Sequence, residues 1–139
     1  MEEEIVISVK GLSQRYGKGR IIYDNLSFDV PKGRILGLLG KNGTGKTTTI
    51  NILMGYLRPQ SGVCKIFGED MTKMSAATRE RIALLLEGHV QYAFMTIGQI
   101  ERFYSQFYKK WNRAAYYELM EKLKVTPDQK LSSMSCGQR

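Results

Sequence analysis

Hydrophobic residues change their spacing along this chain, and each change marks a different kind of element. Near the N-terminus they alternate: Ile5, Ile7 and Val9 are interleaved with Val6 and Ser8, and Leu26, Phe28 and Val30 with Ser27 and Asp29. A period of two predicts half-buried strands, antiparallel and peripheral. The alternation gives way to continuous apolar runs, Ile35-Leu36-Gly37-Leu38-Leu39 and Ile82-Ala83-Leu84-Leu85-Leu86, the pattern of strands buried on both faces of a parallel sheet. Pro31-Lys32-Gly33 turns the chain into the first run, and Pro59-Gln60-Ser61-Gly62 leads into a further strand at Val63 to Phe67. Between them, Ile50, Leu53, Met54 and Leu57 recur at helical spacing within 47–57, and a short helix is expected over 76–81.

Beyond Tyr92 the period becomes helical throughout. Thr96 and Gln99 form a capping box ahead of a stripe of Ile97, Ile100, Tyr104 and Phe107, expected to be core. Asn112 is the N-cap of a second helix, with Trp111 and Tyr116 placed as a hydrophobic staple and Tyr116, Leu119, Met120 and Leu123 along one face. The order predicts an α/β fold in which a mixed sheet with an antiparallel edge precedes a helical subdomain.

At 139 residues, with 42% hydrophobic and 24% charged residues, the composition is that of a globular domain. No apolar stretch reaches the roughly 18 residues of a membrane helix, and the acidic start Met1-Glu2-Glu3-Glu4 is the wrong flank for a secretion signal, so a cytoplasmic protein is expected. Cys64 and Cys136 have no His or Cys at ligand spacing, which argues against zinc, and Cys64 is read as a small core residue. The net charge of +8 comes from scattered residues such as Lys10, Arg15, Arg20, Lys32 and Lys122. No basic run or reading helix stands out, so no nucleic acid is expected as partner, and the surface suits solvent or an anionic membrane face.

The chemistry lies at Gly40-Lys41-Asn42-Gly43-Thr44-Gly45-Lys46-Thr47, which fits G-x-x-x-x-G-K-[ST] at every fixed position, behind an apolar run and ahead of a helix. Glycines let successive backbone N–H groups approach phosphate oxygens closely. Lys46 supplies a full positive charge for the β- and γ-phosphates, the Thr47 hydroxyl is the expected ligand of Mg²⁺, and the helix that carries Thr48 aims its N-terminus at the anion. The motif implies a nucleoside triphosphate site.

The C-terminal Met134-Ser135-Cys136-Gly137-Gln138-Arg139 resembles the Leu-Ser-Gly-Gly-Gln signature of ATP-binding cassette (ABC) ATPases. Leu12-Ser13-Gln14-Arg15-Tyr16-Gly17, Asp24-Asn25-Leu26-Ser27-Phe28 and Arg58-Pro59-Gln60-Ser61-Gly62 resemble the same family along the rest of the chain. The resemblance implies a P-loop fold of ABC type with ATP and Mg²⁺ as ligands. It implies that Tyr16 stacks on adenine, and that two such domains dimerise head to tail, so that Ser135, Gly137 and Gln138 of one close over the γ-phosphate held by the other. It further implies ATP hydrolysis coupled to a separate membrane permease, at the cytoplasmic face of the membrane. Three regions follow: a catalytic core over 1–86, a Q-loop over 87–95 and a helical subdomain over 96–139.

The departures are specific. Cys136 stands where the signature commonly has Gly, and the Q-loop position, usually Gln and a contact of Mg²⁺ or water, holds Glu87, which the resemblance implies as a catalytic carboxylate binding the metal directly or through water, with Gln91 as the alternative occupant. Glu87 with Phe107-Tyr108-Lys109-Lys110-Trp111-Asn112 resembles bacterial export-type subunits. His89 lies in the Q-loop region and is read as a loop or interface residue. The Walker B strand, D-loop and switch His of the family have no counterpart in 1–139, so this chain is expected to bind nucleotide with little hydrolysis of its own. The competing readings are a soluble ABC ATPase acting on nucleic acid or ribosomes, and a non-catalytic nucleotide-binding fragment.

Overall fold

The alternating N-terminal segments form one long hairpin, β1 (Ile5–Tyr16) against β2 (Arg20–Pro31), in a computed structural model that describes residues 3–17, 19–85 and 92–135. The other edge of β1 pairs with β3 (Ser61–Ile66), which in turn pairs with the short β4 (Glu69–Asp70). Every pairing is antiparallel, in the order β2-β1-β3-β4. Gly62 permits the close approach of β3 to β1: its φ is +93°, and a Cβ there would lie 2.5 Å from the Gly11 carbonyl oxygen.

One face of this sheet is closed by α1 (Lys46–Leu53), which buries Ile52 against Val9, Leu12, Cys64 and Met71. Removing such side chains from water stabilises by about 1.5–3 kcal/mol each, which holds α1 against the sheet through its last turn. Burial pushes the Cys64 thiol up to about 11. The helix is shorter than expected, ending at Met54 before Gly55 with φ +75°. Its buried face is Thr48, Thr49 and Ile52, with Ile50, Leu53 and Met54 only partly covered. The short helix α2 (Ala76–Arg79), capped by Ser75, lies within the predicted 76–81.

Neither the first continuous apolar run nor the described part of the second, residues 82–85, forms a strand. Ile35, Leu36, Leu38 and Leu39 are exposed, Leu39 at 97%, and the described part of the second run ends in Leu85 at 91%. The parallel half of the expected mixed sheet is therefore absent among the described residues. The physical reason is pairing: an apolar run becomes a strand only where neighbours take its N–H and C=O groups, and no described strand lies along either run.

Residues 1–81 and 82–139 are two compact units. In the second, α3 (Ile97–Tyr104) begins with the predicted capping box, Thr96 Oγ1 accepting from Gln99 N–H at 3.2 Å and Gln99 Oε1 from Thr96 N–H at 2.9 Å. The helix α4 (Arg113–Lys122) is capped by Asn112, and the staple forms with Trp111 and Tyr116 ring centres 5.6 Å apart. Ile97, Val125 and Met134 make the core of this unit, with Tyr116, Met120 and Leu131 packed around it. Leu119, Leu123 and Phe107 are exposed, so the two predicted apolar stripes are only partly used. Glu101 is 1% exposed and accepts from Trp111 Nε1 at 2.8 Å and Arg113 Nε at 3.0 Å, a buried carboxylate satisfied by two donors. No helix among the described residues is long and apolar enough to cross a membrane.

Candidate functional site

The glycine-rich loop ends in a helix N-terminus that no side chain caps. Gly45 is the N-cap residue of α1, with φ +101°. A Cβ at this position would strike the Ile22 side chain and fall 2.7 Å from the Tyr23 ring, so glycine is required both by conformation and by space. The first-turn amides of α1 lack helical partners, as in any helix, and here they adjoin a concave surface.

Lys46 folds back over the loop. Its Nζ donates to the carbonyl oxygen of Gly40 and, at 3.1 Å, to that of Lys41. The Thr44 hydroxyl donates to the Lys41 carbonyl at 2.8 Å, and Gly43 has φ +80°. The ammonium group thus sits at the centre of the loop, held by neutral carbonyl dipoles.

A cavity of about 390 Å³ opens on this loop, lined by Asn42, Gly43, Gly45, Lys46, Thr47 and Thr48 on one side and by Tyr16, Arg20 and Ile22 of the hairpin on the other. That volume lies in the range of small-molecule sites. The Tyr16 hydroxyl shares a hydrogen bond of 3.0 Å with Thr48 Oγ1, which pins the aromatic ring at the cavity beside the first turn of α1. The described lining carries positive charge, amides and hydroxyls, and no carboxylate. That donor set fits a polyanion, and the Thr47 hydroxyl adds a neutral oxygen of a kind that can ligate Mg²⁺.

Most of the residues expected to form the site from sequence therefore meet: Tyr16, Asn42, Gly43, Gly45, Lys46, Thr47 and Thr48 line one cavity, with Gly40 and Thr44 tied into the turns of the loop. Ser135 is exposed in the second unit. Glu87, His89, Gln91, Cys136, Gly137 and Gln138 lie outside the described residues. Among the described residues, no group of three His, Cys, Asp or Glu side chains could hold a metal ion. Arg20 and Ile22 were not legible as site residues. For Arg20 the available signal was the pairing itself: Arg20 stands directly across the hairpin from Tyr16.

Residues 23–139 match the ABC transporter family. The chain is 35% identical over 111 residues to the probable multidrug ABC transporter ATP-binding protein YbhF of Escherichia coli K12, an alignment covering 80% of this chain and 19% of that protein. It is 40% identical over 91 residues to the bacitracin transport ATP-binding protein BcrA of Bacillus licheniformis, covering 66% and 29%. Among solved structures, an ATP-binding subunit of an ABC transporter superposes with a TM-score of 0.79 at 26% identity, over 95% of this chain and 57% of that one. The chain thus spans about a fifth of the length of the first and under a third of the second.

Proposed function

The chain belongs to the ABC transporter family, whose ATP-binding proteins are in general ATPases, and on that premise we propose that its first unit binds ATP with Mg²⁺ and that the intact protein uses the hydrolysis of ATP to drive transport through a separate permease. One observation carries the reading: a lysine, a glycine-capped helix start and an aromatic side chain converge on one cavity from two different elements.

The roles follow from the chemistry of each group. Lys46 exchanges its carbonyl partners for phosphate oxygens, a stronger charge-assisted interaction. The first-turn amides of α1 add hydrogen bonds and the field of the helix end. Thr47 Oγ1 ligates the Mg²⁺ that accompanies the triphosphate, which spreads its charge. Tyr16 stacks on the base, worth about 0.5–1.5 kcal/mol beyond burial. In this proposal residues 1–139 bind the nucleotide, and turnover belongs to the intact protein.

The second unit takes the partner role in this proposal. Phe94 and Phe107 are exposed aromatics, at 73% and 59%, and with Glu87 they form the contact with the permease. Ser135, Gly137 and Gln138 close over the γ-phosphate of a second ATP-binding subunit. The names of the relatives, a probable multidrug protein and a bacitracin transport protein, support the export-type reading.

Titration calorimetry of purified residues 1–139 with MgATP tests the binding step. Saturable binding at micromolar to millimolar concentration, with phosphate release at the background rate, is expected. Absence of binding contradicts the reading, and robust phosphate release contradicts the division between binding and turnover. In the intact protein, Phe94→Ala is expected to weaken co-purification with the permease. Ser135→Ala is expected to lower ATP-dependent dimerisation in light scattering while sparing monomer binding.

A further inference from the structure

The Arg20 guanidinium lines the nucleotide cavity from the hairpin side, and its hold on the loop is weak. Nη2 donates to the Gly43 carbonyl at 3.4 Å, at the long limit of a hydrogen bond, and the side chain is otherwise exposed. A Cβ at Gly43 would lie 3.4 Å from the same nitrogen, so the guanidinium rests directly on the loop backbone. Tyr16 and Arg20 are cross-strand partners, which places an aromatic ring and a cation at one end of the hairpin, both facing the cavity.

We propose that Arg20 is a second phosphate-binding cation, which leaves the Gly43 carbonyl to engage the polyphosphate of the bound nucleotide from the side opposite Lys46. The inference rests on the nucleotide-binding reading above. A neutral carbonyl at 3.4 Å competes poorly with a phosphate oxygen, which offers a full charge and bidentate geometry to a guanidinium. The hairpin then supplies two forms of recognition from a single cross-strand pair: Tyr16 takes the base and Arg20 the anion. With Lys46 on α1, the polyphosphate lies between cations of two elements, and its arrival ties hairpin and loop together.

Inorganic tripolyphosphate separates this role from base recognition, because it carries the charge and no base. Affinities for MgATP and for tripolyphosphate are measured by calorimetry and competition in the wild-type chain and in the Arg20→Ala, Arg20→Gln, Arg20→Lys and Tyr16→Ala variants, with thermal unfolding in parallel. Arg20→Ala and Arg20→Gln are expected to weaken both ligands about tenfold and to flatten the salt dependence of binding, while Arg20→Lys, which keeps the charge but loses the fork, restores the salt dependence and only part of the affinity. Tyr16→Ala is expected to weaken MgATP alone. Unchanged affinity in Arg20→Gln, or a loss that leaves tripolyphosphate and the salt dependence untouched, overturns the proposal while the nucleotide site stands. Failure of the wild-type chain to bind either ligand overturns both.

Discussion

At the scale of single residues, Lys46 and Gly45 carry the site for different reasons, and their variants separate charge from shape. Lys46→Ala removes the ammonium that bonds to the loop carbonyls of Gly40 and Lys41. Losing a charge-assisted contact of about 1.5–3 kcal/mol lowers MgATP affinity by about ten- to a hundredfold, measurable by calorimetry, with little change in folding. Gly45→Ala leaves every charge in place but forces a Cβ into Ile22 and the Tyr23 ring at a φ of +101°. It is expected to destabilise the first unit by at least about 1 kcal/mol in denaturant unfolding and to abolish binding by displacing the loop. A Lys46→Ala variant that binds normally removes the proposed role of the ammonium. A Gly45→Ala variant as stable as wild type removes the steric argument.

At the scale of elements, the second unit hangs on Glu101. Glu101→Leu leaves the Trp111 indole N–H without its acceptor and frees Arg113, which is largely solvated and so loses less. The expected cost is about 1–3 kcal/mol, read from denaturant unfolding followed by the emission of Trp111. Glu101→Gln, which keeps an acceptor oxygen, should cost less. These elements also show what a sequence reveals and where it stops. The caps at Thr96 and Asn112 and the Trp111–Tyr116 staple were legible because each is a local device, complete within a few residues. So were β1 and β2, whose alternation encodes a sheet with one buried face. The runs at Ile35 and Ile82 have the composition of buried strands, but strand structure there depends on remote partners that composition does not supply. The phosphate loop was legible because its chemistry fixes residue types at fixed offsets. Arg20 was not, because its place in the site comes from hairpin register. Glu101 was hidden as well, since nothing in Ile100-Glu101-Arg102 separates a buried carboxylate from a surface one.

At the scale of the whole molecule, charge and burial set the response to solvent. The net charge of +8 attracts polyanions, so MgATP affinity is expected to fall as salt rises from about 50 to 300 mM. An affinity independent of salt argues against a charge-driven site. In the alkaline range the Cys64 thiol, ordinarily near 9.0, is pushed by burial up to about 11. The thiol stays neutral in the core while the unfolded chain ionises first. The stability it contributes is thus fully present below pH about 9 and is lost as pH rises toward 11. The Tyr116 phenol, pushed by burial up to about 12, extends the loss in the second unit. Denaturant midpoints at pH 8, 9, 10 and 11 are expected to fall across that window and to flatten in Cys64→Ala. Iodoacetamide at pH 8 should leave native Cys64 unmodified, and rapid alkylation refutes its burial.

The pairing of Tyr16 with Arg20 has a consequence for how such a cavity can be altered. Between Val9 and Arg15 the register of β1 against β2 shifts three times before it reaches Tyr16. A slip of a single rung would set Gly19 or Ile21 opposite the aromatic ring, giving it a bare backbone or an aliphatic neighbour instead of a guanidinium. An insertion or deletion in this hairpin could therefore retune what the pocket accepts while every pocket-lining letter of the sequence stayed the same.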